Sequence, residues 1–308
     1  MKDVPTSGLY LFKSCLVSTE YPGVESSLRF IFDRLGIDYI SDPRQSCCSG
    51  LGYYFDVFDH LSTVAVAARN LGLAEELGYR NIVTLCATCY AINKNSLHSL
   101  HENPELASQV SGILDKIGLS YPDKMDKNNI FHEVDILAAL KNKIASMVEI
   151  DFSGLRIASH HACHYTKVFR EDALTDPNRP YLIDSIAKST GAVPVEYAEK
   201  TMTCGAGFRQ RHCNKDLSLS LTLEKLRSLK TAGTEVLLHM CPNCQIQFDR
   251  YQPVIERLTG EQFGIYHLQI PQLIALSMGA DPYTVVGIQT HSVPIEPLLK
   301  RFGIKVKA

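Results

Sequence analysis

The sequence predicts an α/β protein of two repeated Rossmann-like lobes, each with a parallel sheet and each carrying its cysteines at the C-terminal ends of strands. Three observations lead there. Helix-like and strand-like stretches alternate along the chain, the pattern of parallel α/β folds. The cysteines repeat: Cys15, the adjacent Cys47 and Cys48, and the pair Cys86 and Cys89 are followed in the second half by Cys163, Cys204, and the pair Cys241 and Cys244. The intervals match, with 37 residues between Cys48 and Cys86 and 36 between Cys204 and Cys241. Finally, 308 residues suit about two domains of roughly 100–200 residues each. A repeat of this size is a duplicated domain rather than a solenoid unit, so we expect domains at 1–150 and 151–308.

Each element has its own signal. Residues 10–15 (YLFKSC) read as a strand delivering Cys15, and 24–36 as the following helix, ended by Gly36. Residues 60–78 place apolar residues at helical spacing with Gly78 at the end, and 81–85 (NIVTL) form a short apolar strand running into Cys86. The second half repeats the series: a strand over 155–163 (LRIASHHAC) leading to Cys163, helices over 181–191 and 217–233 closed by Gly191 and Gly233, and a strand over 235–240 (EVLLHM) leading to Cys241. Both CxxC pairs fall where open α/β sheets place functional loops. Residues 94–153 are mostly polar and helical in character, broken at Pro104 and Pro122, and read as an insertion and connection between the lobes.

Composition narrows the function. With 45% hydrophobic and 21% charged residues and a formal net charge of −2, the chain gives no electrostatic reason to bind nucleic acid or an anionic membrane. No apolar run approaches the ~18 residues of a membrane span. The N-terminal MKDVPTSGLYLFKSCLV lacks a signal-peptide pattern, so a cytoplasmic protein is expected. In a reducing cytosol, clustered cysteines are metal ligands or redox groups more often than disulfides.

A CxxC turn folds two sulfurs toward one point, which alone fits a zinc half-site or a redox pair equally well. It also fits two buried thiols, but further cysteines at matched intervals raise metal binding above a set of structural or free thiols. Zinc remains the competitor in the second half, where four cysteines suit a tetrahedral site. The five of the first half overfill such a site and suit a polynuclear iron–sulfur cluster better, although ordinary [4Fe–4S] clusters take four. Pro43 and the following CCSGLG suggest a turn around Cys47 and Cys48, with Gly50 and Gly52 letting the backbone hug a cluster.

The pattern Cys, Cys-Cys, CxxC, repeated, resembles the cysteine-rich "CCG" domain of the heterodisulfide reductase B-subunit family. The likeness extends to YPGVESSLRFIFDRLG at 21–36, AARNLGLAEELG at 67–78, TCGAG at 203–207, CPNCQIQFD at 241–249 and HSVPIEPLL at 291–299. It implies that Cys15, Cys47, Cys48, Cys86 and Cys89 hold an unusual noncubane [4Fe–4S] cluster at which a disulfide is cleaved or formed. It also implies two partners in a heterodisulfide-reductase-like complex, one of ferredoxin type and one containing a flavin. Where the family has a second Cys-Cys pair, this chain has Thr203 and Cys204. A hydroxyl is too weakly acidic and too hard a donor to replace a bridging thiolate. The second half is therefore expected to hold a conventional [4Fe–4S] cluster on Cys163, Cys204, Cys241 and Cys244. Cys213 fits neither set; it is a spare thiol or moves into the missing position.

In the family, histidines commonly stand three before and one after the cysteine matched by Cys163, here His160 and His164. Either suits protonation of a departing thiolate, and either equally suits orienting the loop or tuning the cluster. His161 is expected to be structural. Gly205-Ala206-Gly207 lacks the third glycine and context of a dinucleotide fingerprint, so electrons must travel through another protein. Arg209, Arg211 and Lys215 read as a solvated face, a screen for the cluster or an anion contact. The altered second half points to the sulfur-oxidising branch of the family, with a lipoyl or thiol carrier as partner. The alternatives are reduction of the coenzyme M–coenzyme B heterodisulfide, or a non-catalytic relay with zinc in the second half.

Overall fold

The computed structural model describes residues 3–307, and its two sheets are fully parallel. The first joins β1 (Leu9–Phe12), β2 (Tyr39–Ile40), β3 (Asn81–Thr84) and β4 (Ile130–His132) in the order β2-β1-β3-β4. The second joins β5 (Arg156–His160), β6 (Val193–Pro194), β7 (Val236–His239) and β8 (Tyr266–Gln269) in the order β6-β5-β7-β8. The orders are the same, and so are the registers: Phe12 pairs with Thr84 and Thr84 with His132, as His160 pairs with His239 and His239 with Gln269. Parallel strands covered by helices are buried on both faces, which is why β1 (LYLF) and β7 (VLLH) are buried along their whole length. Each fully buried Leu, Val or Ile there contributes about 1.5–3 kcal/mol.

The helices keep close to the expected bounds. Gly23–Leu35 ends on Gly36 in the left-handed region, and His60–Glu76 starts on Asp59, whose carboxylate accepts from Ser62 N at 2.7 Å. Lys215–Thr231 starts on Asn214, which accepts from Leu217 N. The stretch 94–153 departs from expectation. It is not only a helical connection: it supplies β4, the edge strand of the first sheet, and the helix Glu133–Ala139 that follows it. Three residues are too short for any periodic signal, and their strand character comes from pairing with β3. Pro104 does not break a helix but opens one, Pro104–Asp115, at the position where its missing N–H goes unused.

The lobes pack about an approximate twofold axis. Gly23–Leu35, after β1, packs on Ile270–Ser277, after β8; reciprocally Leu182–Ala187, after β5, packs on Glu133–Ala139, after β4. The approach at Gly23 admits no side chain, since a Cβ there would lie 1.8 Å from Val286 O. Across the same seam the buried Tyr21 hydroxyl donates to Asp249 Oδ2 at 2.8 Å. Among the described residues no helix is long and apolar enough to cross a membrane.

Candidate iron–sulfur site

In each sheet the chain leaves the first and third strands in opposite directions, and the crevice beyond their C-terminal ends is the usual ligand position of such folds. Cys15 follows β1 there and starts the short helix Cys15–Glu20; Cys86 follows β3 as the N-cap residue of Ala87–Glu102, which carries Cys89 one turn in. Cys47 and Cys48 arrive on the loop after β2, turned by Ser49 in the left-handed region (φ 62°), so that Cys47 is exposed and Cys48 buried. All five line one cavity with Ser14, Leu16, Leu51 and Thr88. Gly50 allows the close fit, since a Cβ would meet Thr88 Cγ2 at 2.7 Å and Cys48 Sγ at 3.4 Å. Gly52 serves another purpose: it makes room for the Phe58 ring rather than for a cluster.

The second set is built alike. Cys163 starts Cys163–Thr166 after β5, and Cys241 caps Pro242–Asp249, which carries Cys244. Cys163, Cys204, Cys241 and Cys244 line a cavity of about 90 Å³ with Thr88, Ala162, His164, Thr203, Ala206, Gly207 and Asn243. Thr203, half-buried, accepts from Gly205 N at 3.3 Å. Gly205 has φ +92° and a Cβ on it would lie 2.4 Å from Ser218 O, so this glycine serves backbone packing. Cys213 is exposed at the end of Phe208–Cys213 and does not line this cavity.

The two sets touch. Cys86 and Cys241 face each other across the lobe seam closely enough to perturb each other's acidity, and Thr88 lines both cavities. Crowding governs the thiols' acidity. Hydrogen bonds from Cys15 and Cys48 lower Cys47 to about 3, while the bond to Cys47 pushes Cys15 far up. Cys86 rises to about 11 through the facing Cys241, which falls through Cys244 and Cys86. The Cys244 bond lowers Cys204 to about 7. Each ionised sulfur thus keeps its neighbours protonated unless a cationic centre sits among them. Nine free thiols in two such groups, each with members at a helix N-terminus, form a soft donor set that fits an iron–sulfur cluster in either cavity.

The histidines separate by position. His161 is structural: its Nε2 accepts from Ile183 N at 3.2 Å, and burial lowers it to about 3. His164 lines the second cavity, with Nδ1 3.2 Å from Thr88 Oγ1 and its ring stacked on Tyr54 at 4.7 Å. His160 is buried, and burial followed by the Lys225 charge holds it well below its ordinary value, so it is neutral at pH 7 and poorly suited to protonate a leaving thiolate. One of its ring nitrogens lies within 4.8 Å of the sulfurs of Cys204 and Cys244. Arg209 is not a free cation: it donates to Tyr54 O at 3.1 Å and pairs with Asp56, tying the lobes together.

Sequence reasoning missed three supports. Asn70, buried in His60–Glu76, accepts from Ser46 N at 3.0 Å and donates to Ser46 O and Cys47 O at 3.2 Å each. Lys225, buried in Lys215–Thr231, holds the corresponding loop of the second lobe; burial lowers it to about 8 against the pull of Cys204 and Cys244. His132 Nδ1 lies 2.7 Å from Glu133 Oε2, both fully buried at the end of β4. Burial raises Glu133; His132 is pulled down by burial but raised on balance by the Glu133 carboxylate. A polar residue interrupting an apolar helix stripe, as Asn70 and Lys225 do, was the available signal.

A duplicated α/β chain that gathers two cysteine sets at adjoining strand ends is an iron–sulfur oxidoreductase subunit. The cysteine-rich CCG domain family matches residues 9–92 and 157–249, and the chain belongs to the heterodisulfide reductase B-subunit family. It is 50% identical over 310 residues, covering 99% of each chain, to the B subunit of the ferredoxin:CoB-CoM heterodisulfide reductase of Methanosarcina acetivorans. It is 32% identical, over 96% of this chain and 97% of the other, to the B subunit of a ferredoxin/F420H2-dependent CoB-CoM heterodisulfide reductase of the same organism. The 8-methylmenaquinol:fumarate reductase membrane anchor subunit of Wolinella succinogenes is 24% identical over 92% of this chain and 95% of its own. Among solved structures, a hypothetical protein from Helicobacter pylori shares the fold at a TM-score of 0.69 with 15% identity, covering 94% of this chain and 52% of that one.

Proposed function

We propose that this chain is the disulfide-handling subunit of a heterodisulfide reductase complex, cleaving or forming the bond between two thiol substrates. The balanced reaction is R–S–S–R′ + 2e⁻ + 2H⁺ ⇌ RSH + R′SH, with electrons exchanged through a ferredoxin-type partner and beyond it a flavin-containing one. The observation that carries this reading is the meeting of the two cysteine cavities at Cys86 and Cys241. The 50% identical relative, named for a CoB-CoM heterodisulfide, supports that substrate class. Cys15, Cys47, Cys48, Cys86 and Cys89 would hold the noncubane cluster, and Cys163, Cys204, Cys241 and Cys244 a cubane one. When bound, the clusters supply one-electron equivalents and thiophilic iron. The chain's residues do the rest: Cys47 and Cys163 stand at the exposed edge of their sets. His164, held by Thr88 and Tyr54 on the cavity wall, is placed to hydrogen-bond a departing thiol.

A second reading, favoured by Thr203, assigns a sulfur carried on a lipoyl or thiol protein. Four cysteines make the halves unequal and a symmetric attack on two substrate thiols less apt. Turnover assays with a coenzyme M–coenzyme B heterodisulfide and with a lipoyl-bound sulfur substrate separate the two. The test of the site itself is anaerobic purification with metal counting and EPR, comparing wild type with Thr203→Cys. We expect about eight irons per chain, no zinc, and an altered second-site spectrum in the variant. About four irons with one zinc would remove the second cluster and favour a relay role. An unchanged spectrum would show that Thr203 does not set the cluster type.

A further inference from the structure

We propose that Lys225 is the positioning residue of the second cysteine site, a fixed buried cation that balances the charge of that site alone and makes it the more easily reduced of the two. The inference rests on the reading that the second set holds an iron–sulfur cluster.

The lysine is fully buried on the inward stripe of Lys215–Thr231. Its Nζ donates to Met202 O at 2.6 Å, to Lys200 O at 3.3 Å and to His160 Nδ1 at 3.0 Å. An ammonium has three donors, and all three are used. Among the described residues no carboxylate reaches ion-pair distance of it. Burying an unpaired cation costs several kcal/mol unless a counter-charge sits nearby. Its partner His160 has a ring nitrogen within 4.8 Å of the sulfurs of Cys204 and Cys244, and these sulfurs, followed by the Glu199 carboxylate, are the anionic groups that favour the charge. The charge is therefore arranged for the site rather than for the fold.

The duplicated lobe supplies the internal control. Asn70 and Lys225 each lie 16 residues before the first cysteine of their CxxC pairs, and each braces the loop that brings in Cys48 or Cys204. One brace is neutral and the other charged. The strand-end partner changes with it, because Phe12 occupies in β1 the register position of His160 in β5. A lysine serving only to hold carbonyl groups could be an asparagine, as the first lobe demonstrates.

The contact with His160 has a second consequence. A protonated lysine can only donate, so His160 Nδ1 must accept and its proton must sit on Nε2. With one nitrogen engaged and the other protonated, His160 has no free lone pair to offer and is a near neighbour of Cys204 and Cys244, not a fifth ligand replacing the thiolate lost at Thr203. Adding an electron adds negative charge, which a fixed buried cation favours. The second site is thus the one to which an incoming electron passes.

The test uses the full chain purified anaerobically, with iron counting and an EPR-monitored redox titration of wild type, Lys225→Met, Lys225→Gln and Lys225→Arg. The second-site signal is the one that Thr203→Cys alters. With iron retained, the neutral variants should disfavour its reduction about tenfold or more, about 59 mV for one electron. The first-site signal should not move, and Lys225→Arg should stay near wild type. An unmoved second-site midpoint, or equal shifts at both sites, would overturn the proposal. If both neutral variants lose second-site iron while Lys225→Arg keeps it, the charge is needed and the proposal stands; loss in all three means a packing role and overturns it. Wild type with no second-site iron defeats the underlying cluster reading instead, before any variant is compared.

Discussion

The two lobes share a backbone plan and differ at the floor of their sites. The first offers five cysteines, with neutral Asn70 and apolar Phe12 behind them. The second offers four, with cationic Lys225 and His160. Further out, β7 and β8 carry the buried His239 and His267 at the register positions where β3 and β4 carry Thr84 and Ile130. The lobes share the strand order, the CxxC at a helix start and the loop brace, while the second has one thiolate fewer and one buried cation more. An anionic centre can be balanced either by its own ligands or by the protein around it, and the halves divide along that choice.

The largest expected effect is at the ligands. Cys89→Ala should remove about four of about eight irons and leave the second-site EPR signal, and Cys244→Ala should do the reverse. If either substitution empties both cavities, the lobes are not independent and the contact between Cys86 and Cys241 couples their assembly.

Next is acid sensitivity, which should reside in the second lobe. His267 is fully buried, with Nε2 2.9 Å from Gln252 Oε1, and burial lowers it from 6.5 to about 4. Below about 6.5 the unfolded chain takes up a proton that the folded chain refuses. Stability should therefore fall by roughly 1.4 kcal/mol per pH unit between about 6.5 and 4 from this group. Chemical denaturation of His267→Asn across this range should give a shallower slope; an identical slope would place the acid sensitivity elsewhere.

A smaller effect tests the neutral brace. Asn70→Leu leaves the Ser46 and Cys47 backbone groups without their partner and should destabilise the chain by about 1–2 kcal/mol, as the exposed loop regains some water. Its cluster midpoint should stay near wild type, in contrast to the Lys225 variants. The smallest effect is at Arg209→Ala. The exposed pair with Asp56 contributes under about 1 kcal/mol, so urea midpoints should barely move.

Much of the molecule was readable before folding. The repeat of cysteine intervals, the glycine stops at Gly36 and Gly191 and the strands before both CxxC pairs are local signals, each set by a few neighbouring residues, and the structure places them as read. The short β2, β4 and β6 were not readable, because two or three residues carry no period, and β8 (YHLQ) was not because polar His267 and Gln269 interrupt the apolar run that marks β3 and β7. Their strand form comes from pairing with distant chain.

The sequence by itself determined two cysteine sets of unequal size and the substitution at Thr203, since these are matters of residue identity and spacing. Only the tertiary structure decided that the sets meet at Cys86 and Cys241, that Thr88 borders both, and that His160 rather than solvent faces Lys225. Those contacts join residues 65 to 155 positions apart in the chain. They follow from two sheets docking about a twofold axis, a long-range packing outcome that no local pattern in the chain expresses.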